Sequence, residues 1–257
     1  MPDAVGQRPQ RQLNLPLLPE TEPRLATLRP GPNALALQQV LQWLDDLPAG
    51  PDADASSVVS PLFVCGPQGS GKTHVLRALY AELQSRGVGC AWFDPRADWT
   101  PVRQPHWRVL FFDGLDAVQG DGVAARARQE TLFALMGQVW SAGGTWVGSA
   151  QPAPGRLALR DDVRTRLASG TVCAWQPPGE ADMARILQDL ADERGLHLPP
   201  EVLSDMLARL PCRLSVLRGV LVQLDEWTLS QHRAITRPML RQWLAQAGPL
   251  TDPLSGL

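Results

Sequence analysis

Short apolar runs alternate with stretches of helical periodicity over the first two thirds of the chain. Apolar residues recur at i, i+3 and i+4 after Asn33, a plausible helix N-cap, in the run from His74 to Arg86 and between Ala125 and Ala142. Alternation of this kind predicts an α/β fold, a parallel sheet flanked by helices with its site at the carboxyl ends of the strands. The predicted strands are Leu62 to Cys65, Gly89 to Phe93, Arg108 to Asp113, Thr145 to Ser149 and Thr171 to Trp175.

From Pro177 onward the pattern becomes helical throughout, with apolar stripes separated by glycine and proline. This change predicts a small all-α lid domain after the sheet. We therefore divide the chain into a flexible tail at 1–23, an α/β domain at 24–176 and a helical lid with a short tail at 177–257. The predicted lid helices are Glu180 to Arg194, Pro200 to Leu210, Leu214 to Leu229 and Arg237 to Gln246.

One glycine-rich segment joins the first predicted strand to the helix that follows it. It fits the pattern G-x-x-x-x-G-K-[ST], in which backbone N–H groups and the helix N-terminus surround phosphate oxygens. Lys72 would reach the β- and γ-phosphates and Thr73 would hold Mg²⁺. Lys72 is the only lysine among the 24 basic residues. The predicted nucleotide contacts are Gly66, Pro67, Gln68, Gly69, Ser70, Gly71, Lys72, Thr73 and His74.

The third predicted strand ends in an acid, Asp113, after four apolar residues. In P-loop ATPases a carboxylate at this position holds Mg²⁺. Asp113 is therefore predicted to bind Mg²⁺ through water, together with Thr73, and to be one of the nucleotide contacts. The next residue is Gly114, where a second acid would be needed to polarise an attacking water. Asp116 lies two residues on and is expected to point elsewhere. Efficient hydrolysis by this chain alone is therefore not predicted.

Composition narrows the functional class. The chain has 257 residues, 44% hydrophobic and 19% charged, with a net charge of −2. This length suits a core domain with a second, smaller domain. The near-neutral charge argues against a protein that binds nucleic acid through a large excess of positive charge. No apolar run is long enough for a bilayer, and no signal pattern starts the chain, so we expect a cytoplasmic protein without a membrane partner. The cysteines are interpreted as buried thiols, without disulfide or metal spacing: Cys65, Cys90, Cys173 and Cys212.

Within the polar, proline-rich tail lies a short apolar cluster, Gln12-Leu-Asn-Leu-Pro-Leu17. Such a cluster is either a clip onto the protein's own surface or a docking peptide for a partner. The composition of the tail does not decide between these two interpretations.

The order of these motifs resembles the AAA+ modules of the DnaA initiator clade, and within it the Hda family, over about residues 24 to 247. The resemblance rests on Gly66 to His74, Asp113, the loop from Ser149 to Pro152, Arg166 and the lid helix from Leu210 to Asp225. The tail cluster looks like the peptide with which bacterial proteins bind the replication sliding clamp. That likeness implies clamp contacts from Gln12, Leu13, Leu15, Pro16 and Leu17.

The resemblance implies a regulator that docks on the clamp and promotes ATP hydrolysis by DnaA, so that replication initiation is negatively regulated. An arginine before the fifth strand would act in trans on the partner's γ-phosphate. Arg166 matches that position, with Arg164 as the alternative, and the competing interpretation is that both are solvated loop charges. Adenine contacts fall around Pro32 and Asn33 by the same resemblance. Direct DNA binding is not expected, since no residues remain for a DNA-binding domain, and a homo-oligomer stays open.

Three positions depart from the family pattern. Gly114 replaces an acid, Ala150-Gln151 replaces Asp-Arg, and Ser215 occupies the place of a nucleotide-sensing arginine, with Arg213 and Arg218 on either side. We therefore expect bound nucleotide, ADP or ATP with ADP favoured, that is hydrolysed slowly or not at all. The alternatives are a DnaC-like helicase-loading ATPase, a DnaA-like DNA binder, and an adaptor that brings another partner to the clamp.

Overall fold

The computed structural model describes residues 23–47, 59–94, 97, 104–211, 214–231 and 235–247. The tail cluster from Gln12 to Leu17, Arg213 and Cys212 lie outside these residues. Eight α-helices and five strands follow one another within them. The helices are α1 Ala34–Asp45, α2 Lys72–Ser85, α3 Val123–Ser141, α4 Asp161–Leu167, α5 Glu180–Glu193, α6 Pro200–Arg209, α7 Leu214–Gln231 and α8 Arg237–Ala247. The strands are β1 Leu62–Cys65, β2 Cys90–Phe93, β3 Val109–Phe112, β4 Thr145–Ala150 and β5 Thr171–Ala174.

The five strands form one parallel sheet in the order β2-β3-β4-β1-β5. The predicted fold class is confirmed, and each predicted strand is present with its ends shifted by one residue at most. Strand β1 lies between β4 and β5, so that Leu62 pairs with both Val147 and Thr171. The loop that follows β1 therefore leaves the sheet from between two neighbouring strands.

Alternate residues of each strand face opposite layers, as the period of a strand requires. Phe63 and Phe112 pack with α3 and α4 on one face, whereas Val64 and Phe111 pack with α1 and α2 on the other. Both faces are buried, which explains why the strands are continuous apolar runs. The sheet is thus a rigid layer that fixes where each strand ends.

Helix α4 was not predicted from the sequence, where a loop entered only in the competing interpretation of its arginines. Residues 161–167 are helical, with Asp161 and Asp162 in the first turn and Arg164 and Arg166 in the last. Acids near a helix N-terminus and bases near its C-terminus interact favourably with the helix dipole and so stabilise the helix. The competing interpretation of Arg164 and Arg166 as loop charges is therefore wrong about their backbone, because both arginines are presented by a short helix.

The helices after β5 enclose a third hydrophobic cluster of their own, which includes Leu187, Met206, Leu221 and Trp243. The connector before α1 contacts this helical unit through an ion pair of 2.7 Å between Arg29 Nε and Asp189 Oδ2. The residues before α1 therefore touch the lid as well as the sheet domain.

The thiols of the described cysteines are unpaired, in agreement with the sequence interpretation. Burial raises the pKa of Cys90 to about 12 and that of Cys173 to about 11. Thiols with so little thiolate are poor nucleophiles. Among the described residues, no helix is both long and apolar enough to cross a membrane.

Candidate phosphate-binding site

The loop between β1 and α2 is shaped by close backbone approaches. The Gly66 N–H donates to the carbonyl oxygens of Ala150 and Gln151 at 3.2 and 3.0 Å. A side-chain Cβ on Gly66 would lie 1.9 Å from the carbonyl oxygen of Trp175, so only glycine fits there. Gly71 has a φ of +96°, in the region that glycine alone adopts readily. The loop thus has the conformation that a phosphate cradle requires.

Two observations fit an anionic ligand in this cradle. The Ser70 hydroxyl is buried within the loop and has no hydrogen-bond partner among the described residues. Helix α2 starts at Lys72, so the unpaired N–H groups of its first turn lie beside the loop.

The Lys72 ammonium donates to the carbonyl oxygens of Gly66 and Pro67, at 2.7 and 3.0 Å. Burial lowers the pKa of Lys72, while the negative charges of Asp116 and Asp113 and the nearby Cys65 oppose that shift. Its two carbonyl partners belong to the loop itself, so the ammonium lies inside the curve of the cradle. This cation can hold the terminal phosphates of a nucleotide.

Asp113 joins the loop to the neighbouring strands. Its Oδ2 accepts from the Thr73 hydroxyl at 2.8 Å, and its Oδ1 accepts from the Ser149 hydroxyl at 2.5 Å. The two predicted metal contacts, Thr73 and Asp113, are thus brought together, and their oxygens are the hard ligands that Mg²⁺ prefers. These two residues could hold the metal, with water completing its shell.

Sequence reasoning had placed Ser149 in a loop motif without a role for its side chain. In the structure its hydroxyl is fully buried, donates to Asp113 and accepts from the Gly114 N–H at 2.9 Å. A polar residue near the end of an otherwise buried strand was the available signal, because β4 lies between β3 and β1. Ser149 therefore fixes the position of the Asp113 carboxylate.

Asp116 is directed away from the position that Gly114 leaves without an acid. Both of its carboxylate oxygens accept from the Gln151 N–H, at 3.1 and 3.0 Å. Its charge nevertheless raises the pKa of Lys72 against the larger effect of burial. Asp116 thus lies at the edge of the site, although the sequence analysis had expected it only to point elsewhere.

Asn33 precedes α1 but does not cap it, contrary to the sequence prediction. Its side chain instead pairs with the main chain of Gln176: Nδ2 donates to the carbonyl at 2.8 Å, and Oδ1 accepts from the N–H at 2.6 Å. Asn33 is buried, whereas Pro32 is exposed. Of the two residues predicted near adenine, Asn33 therefore ties the connector to the segment between the sheet and the lid, and Pro32 precedes it at the surface.

Arg218 of the lid lies close enough to His74 to affect its pKa. Desolvation, followed by the positive charges of Arg218 and Arg77, lowers the pKa of His74, which retains solvent contact in the first turn of α2. Arg218 lies on α7, three residues after Ser215, whose side chain is outside the described residues. Arg218 therefore places a positive charge near the start of α2.

Arg164 and Arg166 lie near the amino ends of the strands, at the opposite end of the sheet from the phosphate loop. Arg166 lines an open cavity of about 550 Å³ together with Pro61, Trp146 and Ser169, which flank or begin strands at their amino ends. Its Nη1 donates to the Phe133 carbonyl at 3.2 Å, and its guanidinium lies 4.2 Å from the Phe133 ring centre. Arg164 instead pairs with Asp161 at 2.6 Å. The structure therefore does not bring either arginine to the chain's own phosphate loop.

The comparisons with known proteins agree with this architecture. Residues 180–244 match the family model described as Hda, lid domain. Domain III of the replication initiation protein DnaA from Thermotoga maritima superposes with a TM-score of 0.72 and 18% identity, over 88% of this chain and 97% of that one.

Two further solved structures extend the comparison. AMPPCP-bound DnaA from Aquifex aeolicus has a TM-score of 0.63 and 18% identity, over 81% of this chain and 66% of that one. A RuvB mutant from Thermotoga maritima has a TM-score of 0.63 and 13% identity, over 87% of this chain and 72% of that one. The shared fold is therefore the AAA+ fold with a helical lid. On this fold, the lid segment at residues 180–244 is similar to the lid domain of the Hda family.

Proposed function

We propose that this protein is a nucleotide-binding regulator that docks on the replication sliding clamp and promotes ATP hydrolysis by a DnaA-type initiator. It would thereby negatively regulate the initiation of DNA replication. One observation carries the proposal: the phosphate loop, Lys72, Thr73 and Asp113 form an ordered site, but Gly114 follows Asp113 where a second acid would stand. The site is suited to holding a nucleotide and poorly suited to hydrolysing it.

The nucleotide would be held by the amide groups of residues 66–74, by Lys72, and by Mg²⁺ bound to Thr73 and Asp113. The Mg²⁺ would supply charge neutralisation at the phosphates. Asn33 and Pro32 would lie on the adenine side, beside the connector. The AMPPCP bound to the Aquifex DnaA supports a nucleotide in the same fold.

We expect the purified protein to turn over ATP slowly, on the order of 10⁻³ s⁻¹ or less, the range of a nucleotide site without its activating group. Gly114 places no carboxylate where a second acid would orient the attacking water, and the Asp116 carboxylate is directed instead at the Gln151 N–H. Phosphate release under single- and multiple-turnover conditions measures this. Turnover near 1 s⁻¹ would remove the proposal and favour a true ATPase.

Action on a partner is supported by the position of Arg166. Arg166 lies near the amino ends of the strands, whereas the phosphate loop lies at their carboxyl ends. The strands have four to six residues, so at the usual rise per residue the two ends are about 13–20 Å apart. Arg166 is therefore remote from its own nucleotide site and accessible only to a site on another molecule. The lid match and the DnaA-like fold support a DnaA-type initiator as that molecule.

Docking on the clamp is tested directly by surface plasmon resonance with immobilised sliding clamp. We expect binding in the micromolar range or tighter, lost in the double variant Gln12→Ala/Leu15→Ala, because a short peptide depends on a few anchor side chains. The matched control is Val5→Ala/Gln7→Ala, in the same tail but outside the apolar cluster. Equal binding by both double variants, or none by the unaltered protein, would remove the clamp from the proposal.

A further inference from the structure

Trp175 lies directly after β5, and its main chain is held against the phosphate loop. Its N–H donates to the Cys65 carbonyl oxygen at 2.6 Å, which continues the pairing of β5 with β1 by one residue. Its carbonyl oxygen lies so close to Gly66 that a Cβ on that glycine would be 1.9 Å away. The next residue, Gln176, is bound at both its N–H and its carbonyl by the Asn33 side chain. The backbone of Trp175 is therefore fixed on both sides.

The indole of Trp175 is buried beside the same loop. It is 6% exposed and belongs to the hydrophobic cluster that packs α1 and α2 against the sheet. A Cβ built on Gly71 would lie 3.5 Å from the indole Nε1. Gly71 directly precedes Lys72, at which α2 begins. The N–H edge of the indole therefore borders the phosphate loop at the point where the helix starts.

This indole N–H has no acceptor among the described residues, although the side chain is more than nine-tenths buried. Trp43 of the same cluster is 3% exposed and donates its indole N–H to the Ser60 carbonyl oxygen at 2.7 Å. Buried indoles usually find such a partner, because an unpaired buried donor costs free energy. The buried Ser70 hydroxyl of the loop is also unpaired. Two donors without partners thus lie at one loop.

We propose that the Trp175 indole N–H donates a hydrogen bond to the phosphate chain of the bound nucleotide. The inference rests on the nucleotide binding proposed above and adds a binding residue from outside the loop. An indole nitrogen is only a donor, so it suits an acceptor such as a phosphate oxygen. The phosphates are the part of a nucleotide that a loop of this kind surrounds, and Nε1 lies beside that loop. The ligand group is therefore a phosphate oxygen, and the base and ribose are not required.

The direct test is the indole region of a ¹H–¹⁵N NMR spectrum of the unaltered protein with Mg²⁺. It is recorded with rising concentrations of ADP, inorganic pyrophosphate or adenosine. Trp175→Phe and Trp175→Leu each identify the Trp175 signal among the nine tryptophans by its absence, so the assignment does not depend on one variant folding. We expect ADP and pyrophosphate to shift this signal downfield, as a hydrogen bond to an anion does, and adenosine to leave it in place.

Affinity provides a second readout. Trp175→Phe keeps an aromatic ring but removes the N–H, so ADP and pyrophosphate should each bind about tenfold more weakly in titration calorimetry, as expected for a lost hydrogen bond to a charged group. The matched control is Trp43→Phe, which removes an indole N–H of the same cluster whose acceptor is a main-chain oxygen. This control should lower the melting temperature and leave both affinities unchanged.

Failure of the unaltered protein to bind ADP would overturn the proposed function and this inference together. Binding of ADP and pyrophosphate with a stationary Trp175 signal would overturn the inference alone. A signal that moves with ADP and adenosine but not with pyrophosphate would also overturn it and would assign the indole to the ribose or base. Equal losses of affinity in Trp175→Phe and Trp43→Phe would overturn it in favour of a packing role for the cluster.

Discussion

Replacing Lys72 with methionine should lower the affinity for ADP and ATP by about 100-fold or more. The ammonium lies among the loop carbonyl oxygens, and hydrogen bonds to charged groups contribute about 1.5–3 kcal/mol each. Loss of two such bonds to phosphate corresponds to at least two orders of magnitude in the dissociation constant. Titration with a fluorescent nucleotide analogue measures the effect. Lys72→Arg should also bind poorly, because a planar guanidinium does not fit the loop as an ammonium does.

The fold should survive this substitution, which makes the result interpretable. Methionine retains the unbranched stem of Lys72, and removing a partly buried charge relieves its desolvation cost. The melting temperature of the free protein should therefore change little. By contrast, nucleotide at 100 times its dissociation constant adds about 2.7 kcal/mol of stability to the unaltered protein, and that increment should vanish in Lys72→Met.

Arg86→Met is the matched control, since it removes a positive charge from the residue that follows α2, where Arg86 pairs with Glu82 at 2.8 Å. It should retain both nucleotide affinity and the thermal shift. If Lys72→Met bound nucleotide as the unaltered protein does, the loop would not be the binding site. A low melting temperature of free Lys72→Met would instead mean that the charge is structural.

The sheet and the phosphate loop could be predicted because both depend on local sequence. Each strand is a short apolar run, and the spacing from Gly66 to Thr73 fixes the chemistry of the loop. The contacts of Asp113 and Asp116 could not be predicted in the same way. Ser149 and Gln151 lie 35 or 36 residues along the chain from these carboxylates, and they meet them only because β4 lies between β3 and β1.

The same reason accounts for the incorrect expectation at Asn33 and for helix α4, which was not predicted from the sequence. Asn33 has the usual composition of an N-cap, but tertiary contact with Gln176, 143 residues away, takes its side chain. Helix α4 has only seven residues, too few for a clear apolar period, and its Val163 and Leu167 are buried by the packing of α3 and the sheet. Local patterns identify the elements, whereas long-range packing decides which side chains remain available.

Replacing Arg166 with alanine should reduce the stimulation of the initiator's ATP hydrolysis by about 10³-fold, or to background. An arginine supplied in trans contributes on the order of 10³–10⁵ in rate where such groups have been measured. The assay follows phosphate release by ATP-loaded initiator in the presence of sliding clamp and nucleotide-loaded regulator. Arg166→Lys should restore little, because an ammonium cannot make the bidentate contacts of a guanidinium. Clamp binding should be unchanged, which separates this loss from failed docking.

Arg164→Ala tests the alternative arginine in the same helix. Arg164 is already paired with Asp161, so its loss should reduce stimulation much less than loss of Arg166. If Arg164→Ala were the inactive variant and Arg166→Ala were active, the roles would be reversed. If both alanine variants reduced stimulation only slightly and equally, the two arginines would be ordinary surface charges of α4. The proposed trans action would then be removed.

Phe133→Leu separates action on a partner from a structural role of Arg166. In the free protein the guanidinium is held over the Phe133 ring, a contact worth about 0.5–1 kcal/mol at an exposed site. If Arg166 serves only to fasten α4 to α3, Phe133→Leu should lower stimulation as Arg166→Ala does. If Arg166 must leave the ring to reach the partner's nucleotide, Phe133→Leu should preserve or increase stimulation, because the competing contact is gone. The hydrogen bond to the Phe133 main-chain oxygen remains possible in that variant, so a purely structural role predicts a smaller loss than that of Arg166→Ala, but still a loss.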